Sequence, residues 1–130
     1  MYRHHRLSEL IIGAAIEVHR QLGPGLLEST YGRCLGCELR LRGVPFREQV
    51  AIPVRHKGIV IECSYVLDFV VADTVIIEVK SVAQLVAVHQ AQLMTYLKLT
   101  SYEIGLLVNF NVAALHRGGL RRVYKPTPSS

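Results

Sequence analysis

Apolar residues recur at helical spacing through the first third of this chain, then at strand spacing or in unbroken β-branched runs through the middle. Leu10, Ile11, Ala14, Ala15 and Val18 fall on one face of a helix that Ser8 is placed to cap and that ends near Gly23-Pro24-Gly25. A second helix is predicted from about Leu27 to Leu41, with Glu28 in its first turn, where a negative charge suits the helix dipole, and a stop at Gly43-Val44-Pro45. Strands follow near Phe46 to Val54 and Ile59 to Cys63, around a turn at His56-Lys57-Gly58, and then over Tyr65 to Val71 and Val75 to Lys80. Those four form a predicted meander. A helix from about Val82 to Leu99, a strand over Ile104 to Phe110 and a short strand near Arg121 to Tyr124 complete a single α+β sheet domain over residues 1–125. Residues 126–130 read as a flexible tail.

Charge interrupts this pattern at one place. The third and fourth strands are apolar on both faces, as interior strands are, yet carry Asp68, Glu78 and Lys80. If Ala72-Asp73-Thr74 closes a three-residue loop, Val71 faces Val75, and counting back sets Asp68 across from Glu78, with Lys80 one pleat along on the same face. Facing carboxylates in a core repel and are poorly solvated, so the arrangement calls for a positive partner. One reading is structural: Asp68 pairs with Lys80, and Glu78 is solvated at a sheet edge. The other places a divalent cation between the acids; hard oxygen ligands suit Mg²⁺, and the neighbouring ammonium would orient water or neutralise a phosphate.

Four short motifs in order extend the second reading. Asp68 followed by Glu78-x-Lys80 resembles the PD-(D/E)xK nuclease superfamily, although Leu67 stands where the superfamily's name has proline. Gly25-Leu26-Leu27-Glu28-Ser29-Thr30-Tyr31 resembles the signature of its GxxExxY branch, Gln92-Leu93-Met94-Thr95-Tyr96 is similar to the QxxxY motif of RecB-type members, and Gly105 to Phe110 looks like the branch's closing strand. The resemblance runs from about Leu7 to Val123 and implies a restriction-endonuclease-like mixed sheet flanked by helices. It also implies a Mg²⁺- or Mn²⁺-dependent nuclease hydrolysing phosphodiester bonds of nucleic acid, with DNA the first choice. Asp68, Glu78, Lys80, Gln92 and Tyr96 would be its catalytic residues, and Glu28, Asp68 and Glu78 its metal ligands. Tyr31, one turn after Glu28, would orient it or simply pack. Gln92 and Tyr96 share a helix face with His89; without the resemblance, Tyr96 reads as core and Gln92 as solvated. His19 and His89 read as structural groups or as supports behind the ligands rather than as ligands, since imidazole suits Mg²⁺ less than a carboxylate does. The alternative on the same fold is a silent nucleic-acid- or protein-binding module.

Composition changes this picture little. Half of the 130 residues are hydrophobic, enough for one core. Fifteen basic against ten acidic residues give a formal charge of +5, which favours an anionic partner. The excess sits at Arg3, His4, His5 and Arg6 and again at Arg117, Arg121, Arg122 and Lys125, and a homodimer is one way so small a domain could embrace a duplex. No run approaches the ~18–20 apolar residues of a membrane span, and the odd count of three cysteines fits a reducing cytoplasm. Cys34 and Cys37, three apart on a helix, read as small core residues; a thiol redox pair is the other possibility.

Overall fold

The computed structural model describes residues 2–126, with the side chains of 5–61 and 65–126. Its order is α1 (Tyr2–Leu22), α2 (Glu28–Leu41), β1 (Phe46–His56), β2 (Ile59–Val71), β3 (Val75–Lys80), α3 (Ala87–Leu99), β4 (Ile104–Asn109) and β5 (Leu120–Tyr124). The predicted tail from residue 127 and the side chain of Cys63 lie outside the described residues.

The five strands form one mixed sheet in chain order, antiparallel throughout except for β3 and β4, which are parallel and joined by the α3 crossover. The helices cover both faces. α1 contributes Ile11, Ala14, Ala15 and Val18, and α2 contributes Tyr31, Leu35 and Leu39 at a spacing of four, all packed against Val75, Ile77, Val79, Leu106 and Val108. α3 covers the other face with Leu93, Tyr96 and Leu97 against Ile76, Leu107 and Val123. A β-carbon at position 105 would lie 2.8 Å from the methyls of Leu93, so glycine there is what lets α3 settle on β4. Each large aliphatic side chain buried in these layers contributes about 1.5–3 kcal/mol.

Several expectations shift. The strands expected at 59–63 and 65–71 are one continuous strand, β2, so the sheet has five strands rather than six. Ser8 lies inside α1, buried, instead of capping it, and Leu10 is largely exposed. α3 starts at Ala87 because residues before it are held as a loop: the buried Asn109 amide accepts from Val82 N–H and donates to Val82 O, each at 3.0 Å. Cys34 is partly buried but Cys37 is exposed, and both are free thiols.

One irregularity bears on the site. Phe69 and Val71 pack in the α1/α2 layer, whereas Leu67 packs in the α3 layer; on β1, Phe46 packs in the first and Val50 and Ile52 in the second. Positions two apart should share a face. Register is unbroken across the change, Glu48 pairing with Phe69 and Val50 with Leu67, so both strands exchange faces together at Gln49 and Asp68. Gln49 carries the turn in its backbone, with φ of 53° in mid-strand.

Candidate active site

β2 and β3 pair as Val71–Val75, Val70–Ile76 and Phe69–Ile77, the register expected from a loop over residues 72–74. Ala72 and Asp73 both have positive φ, and Thr74 N–H bonds Val71 O at 2.9 Å, which is a tight hairpin turn. The ladder stops one pair later, at Asp68 and Glu78. There each carboxylate takes over a backbone donor of the opposite strand: Asp68 Oδ2 accepts from Val79 N–H and Glu78 Oε2 from Asp68 N–H, both at 2.8 Å. The acids therefore bridge a place where two strands part, which satisfies donors that a sheet would otherwise have paired.

Strand alternation sends Glu78 and Lys80 toward α3, since Val75, Ile77 and Val79 face the other layer. Glu78 is 5% exposed, so the reading that left it solvated at an edge does not hold. Burial and the Asp68 charge together push its carboxyl up to about 8, while Lys80 acts in the opposite direction. Burial raises Asp68 as well, opposed chiefly by the Val79 N–H. Two acids and one ammonium leave the cluster short of positive charge.

Asp68 opens on its other side into a cleft of about 520 Å³, walled by α2 at Glu28, Ser29, Gly32 and Arg33 and by Glu48, Gln49 and Val79. Glu28 is brought there by its motif. Gly25, at φ 97°, turns the chain; Tyr31 is buried, stacks on Phe110 with ring centroids 4.6 Å apart, donates its hydroxyl to Gly23 O and accepts Leu26 N–H at 3.1 Å. Tyr31 thus packs and grips the turn that sets Glu28 at the start of α2. Ser81 ties the same turn to β3, donating its hydroxyl to Leu26 O at 2.7 Å and its N–H to Glu28 Oε2 at 3.3 Å. The Glu28 charge raises both Asp68 and Glu78, so the three acids share one field.

The remaining candidates divide. Tyr96 is buried in the α3 layer, its ring 5.4 Å from that of Tyr65, and desolvation with the Glu78 charge pushes its hydroxyl to about 12. Gln92 is exposed one turn before it, and neither residue lines the cleft beside Glu28. His89 caps α3, its Nδ1 accepting Val86 N–H at 3.0 Å, and His19 bonds Val112 O at 2.7 Å. Gln49, Arg33 and Ser81 join the site unforeseen. Gln49 and Arg33 have no spacing relation to the acids, and Ser81, next to Lys80, was legible only by adjacency.

Among the described residues, no three His, Cys, Asp or Glu side chains stand close enough to form a ready metal shell. The donor chemistry nonetheless fits a hard divalent cation: oxygen-only ligands, a carboxyl forced toward protonation by burial and by its neighbour, and an open cleft beside Asp68 and Glu28. A model of the PD-(D/E)XK nuclease superfamily matches residues 5–123.

The chain belongs to the PD-(D/E)XK nuclease superfamily. That membership accounts for the α+β architecture and points to nuclease-type chemistry on a nucleic-acid substrate, with divalent metal the general requirement of PD-(D/E)XK enzymes. Comparison with curated proteins and with solved structures finds no match. Among the described residues no helix is long and apolar enough to cross a membrane.

Proposed function

We propose that this PD-(D/E)XK chain is a Mg²⁺- or Mn²⁺-dependent nuclease of the GxxExxY branch that hydrolyses phosphodiester bonds, with DNA its first substrate. The observation that carries the reading is the Asp68–Glu78 pair at the point where β2 and β3 part, with Glu78 pushed to about 8 by burial and by the Asp68 charge. Asp68 and Glu78 would hold the ion, and Glu28 would complete its surroundings from the facing wall. When bound, the ion would acidify a water and neutralise charge on the phosphate. Lys80 lies on the Glu78 side, where its ammonium orients that water or stabilises the developing charge. Tyr96 closes the α3 side next to Glu78 and excludes water from it, while Gln92, exposed a turn away, is free to reach a phosphate oxygen.

The test is cleavage of single-stranded DNA, duplex DNA and RNA with Mg²⁺, Mn²⁺ or EDTA, comparing the parent chain with Asp68→Asn. Metal-dependent cutting that falls about 100-fold or more in the variant is expected. Binding of nucleic acid without cutting on all three substrates would instead assign the silent binding module. Cutting that survives in Asp68→Asn would overturn the site.

A further inference from the structure

We infer that Gln49 is a positioning residue for Asp68, holding its carboxylate from the strand opposite Val79; the inference rests on the nuclease reading above. The backbone first sets Gln49 apart. The other described non-glycine residues at positive φ, Lys57, Ala72 and Asp73, sit in hairpin turns, whereas Gln49 lies in mid-strand between two regular pairs. Left-handed backbone is tolerated by glycine and, through local side-chain bonds, by asparagine and aspartate; glutamine has a β-carbon and no such compensation. Strain of this kind persists where the surrounding structure over-determines it.

What the kink achieves is visible in the side chains. Counting between the Glu48–Phe69 and Val50–Leu67 pairs sets Gln49 opposite Asp68, where the β1–β2 ribbon exchanges its two faces. Gln49 and Asp68 line the same cleft. Asp68 sits on the middle strand of three. From β3 it receives the Val79 N–H on Oδ2; in the role inferred here the Gln49 amide, lining the same cleft, is the donor from β1. A carboxylate held from both sides keeps one orientation. A primary amide has two N–H donors and one carbonyl, which leaves Gln49 with groups to spare for a water or phosphate oxygen in the same cleft. An apolar or absent side chain would leave Asp68 tethered from one strand only.

Two replacements separate this role from a structural one. Gln49→Gly removes the amide and relieves the backbone, whereas Gln49→Met keeps the bulk and the strain but has no donor. Each is measured, as the full chain, for melting temperature, Mn²⁺ affinity by calorimetry without substrate, and Mn²⁺-dependent cleavage. The expected result is that Gln49→Gly melts at or above the parent and Gln49→Met does not, yet both lose about 10- to 100-fold in Mn²⁺ affinity and cleave correspondingly less. If Gln49→Gly binds Mn²⁺ as tightly as the parent, or if affinity follows melting temperature across the pair, the positioning role is wrong while the nuclease reading stands. A parent chain that binds no Mn²⁺ overturns both.

Discussion

Asp68 does two jobs, and they respond differently to substitution. As an acid it crowds Glu78; as an acceptor it pairs Val79 N–H, which the parted strands leave without a backbone partner. Removal of the charge alone relieves the crowding, but truncation also strands a donor, which costs about 1 kcal/mol. Asp68→Asn is therefore expected to melt at or above the parent in EDTA, and Asp68→Ala below Asp68→Asn, by thermal unfolding. Only the first job is legible in the sequence, because backbone satisfaction depends on where two strands diverge. Glu78 predicts a pH dependence of stability. Its carboxyl titrates near 4.5 when unfolded and is pushed to about 8 in the fold, so between those values the folded chain holds a proton that the unfolded chain has released. Stability therefore falls as pH rises through that window and levels above it, and the raised Asp68 acts in the same sense. Melting scans in EDTA should show that decline, and saturating Mg²⁺ should flatten it; a decline unchanged by metal would count against the cation site.

At the scale of elements, the site depends on the joint between α2 and β3. Ser81 stitches the two through Leu26 O and Glu28, and Tyr31 clamps the turn that leads into α2. Ser81→Ala keeps the N–H to Glu28 and loses only the hydroxyl, so it should leave melting nearly unchanged and lower cleavage about tenfold through a looser Glu28. Tyr31→Phe keeps the stack on Phe110 but leaves Leu26 N–H without its acceptor, and should cost about 1–2 kcal/mol by denaturant unfolding. The helices were legible from period because Ile11, Ala14, Ala15 and Val18 on α1 and Tyr31, Leu35 and Leu39 on α2 repeat where one face is buried. Their ends were less so. Ser8 has the chemistry of a cap, but α1 runs past it to Tyr2; the loop before Ala87 reads as helix until Asn109 is seen holding Val82.

Across the whole molecule, the formal charge of +5 favours polyanions, yet much of the basic surface is already matched: Arg20 with Glu17, Arg42 with Glu38, Arg47 with Asp73, Arg122 with Glu9. Arg33 instead faces the cleft beside Glu28 and Asp68. Binding of the Asp68→Asn chain to a short DNA should therefore weaken with salt, and Arg33→Ala should reduce the slope of log K against log salt by about 1, read by fluorescence anisotropy. An unchanged slope would place the contact elsewhere. The chain by itself determined the order of helical and strand segments, the Val71–Val75 register and the placing of Asp68 opposite Glu78, since these follow from periodicity and from counting across a short turn; it did not determine that residues 59–71 form one strand or that the ladder ends at the acids. Only the fold decided that β3 and β4 run parallel, that the ribbon reverses its faces at Gln49, and that Arg33, Gln49 and Ser81 meet the acids. Those contacts join elements far apart in sequence, and their geometry is set by backbone torsion and layer packing, which leave no periodic trace.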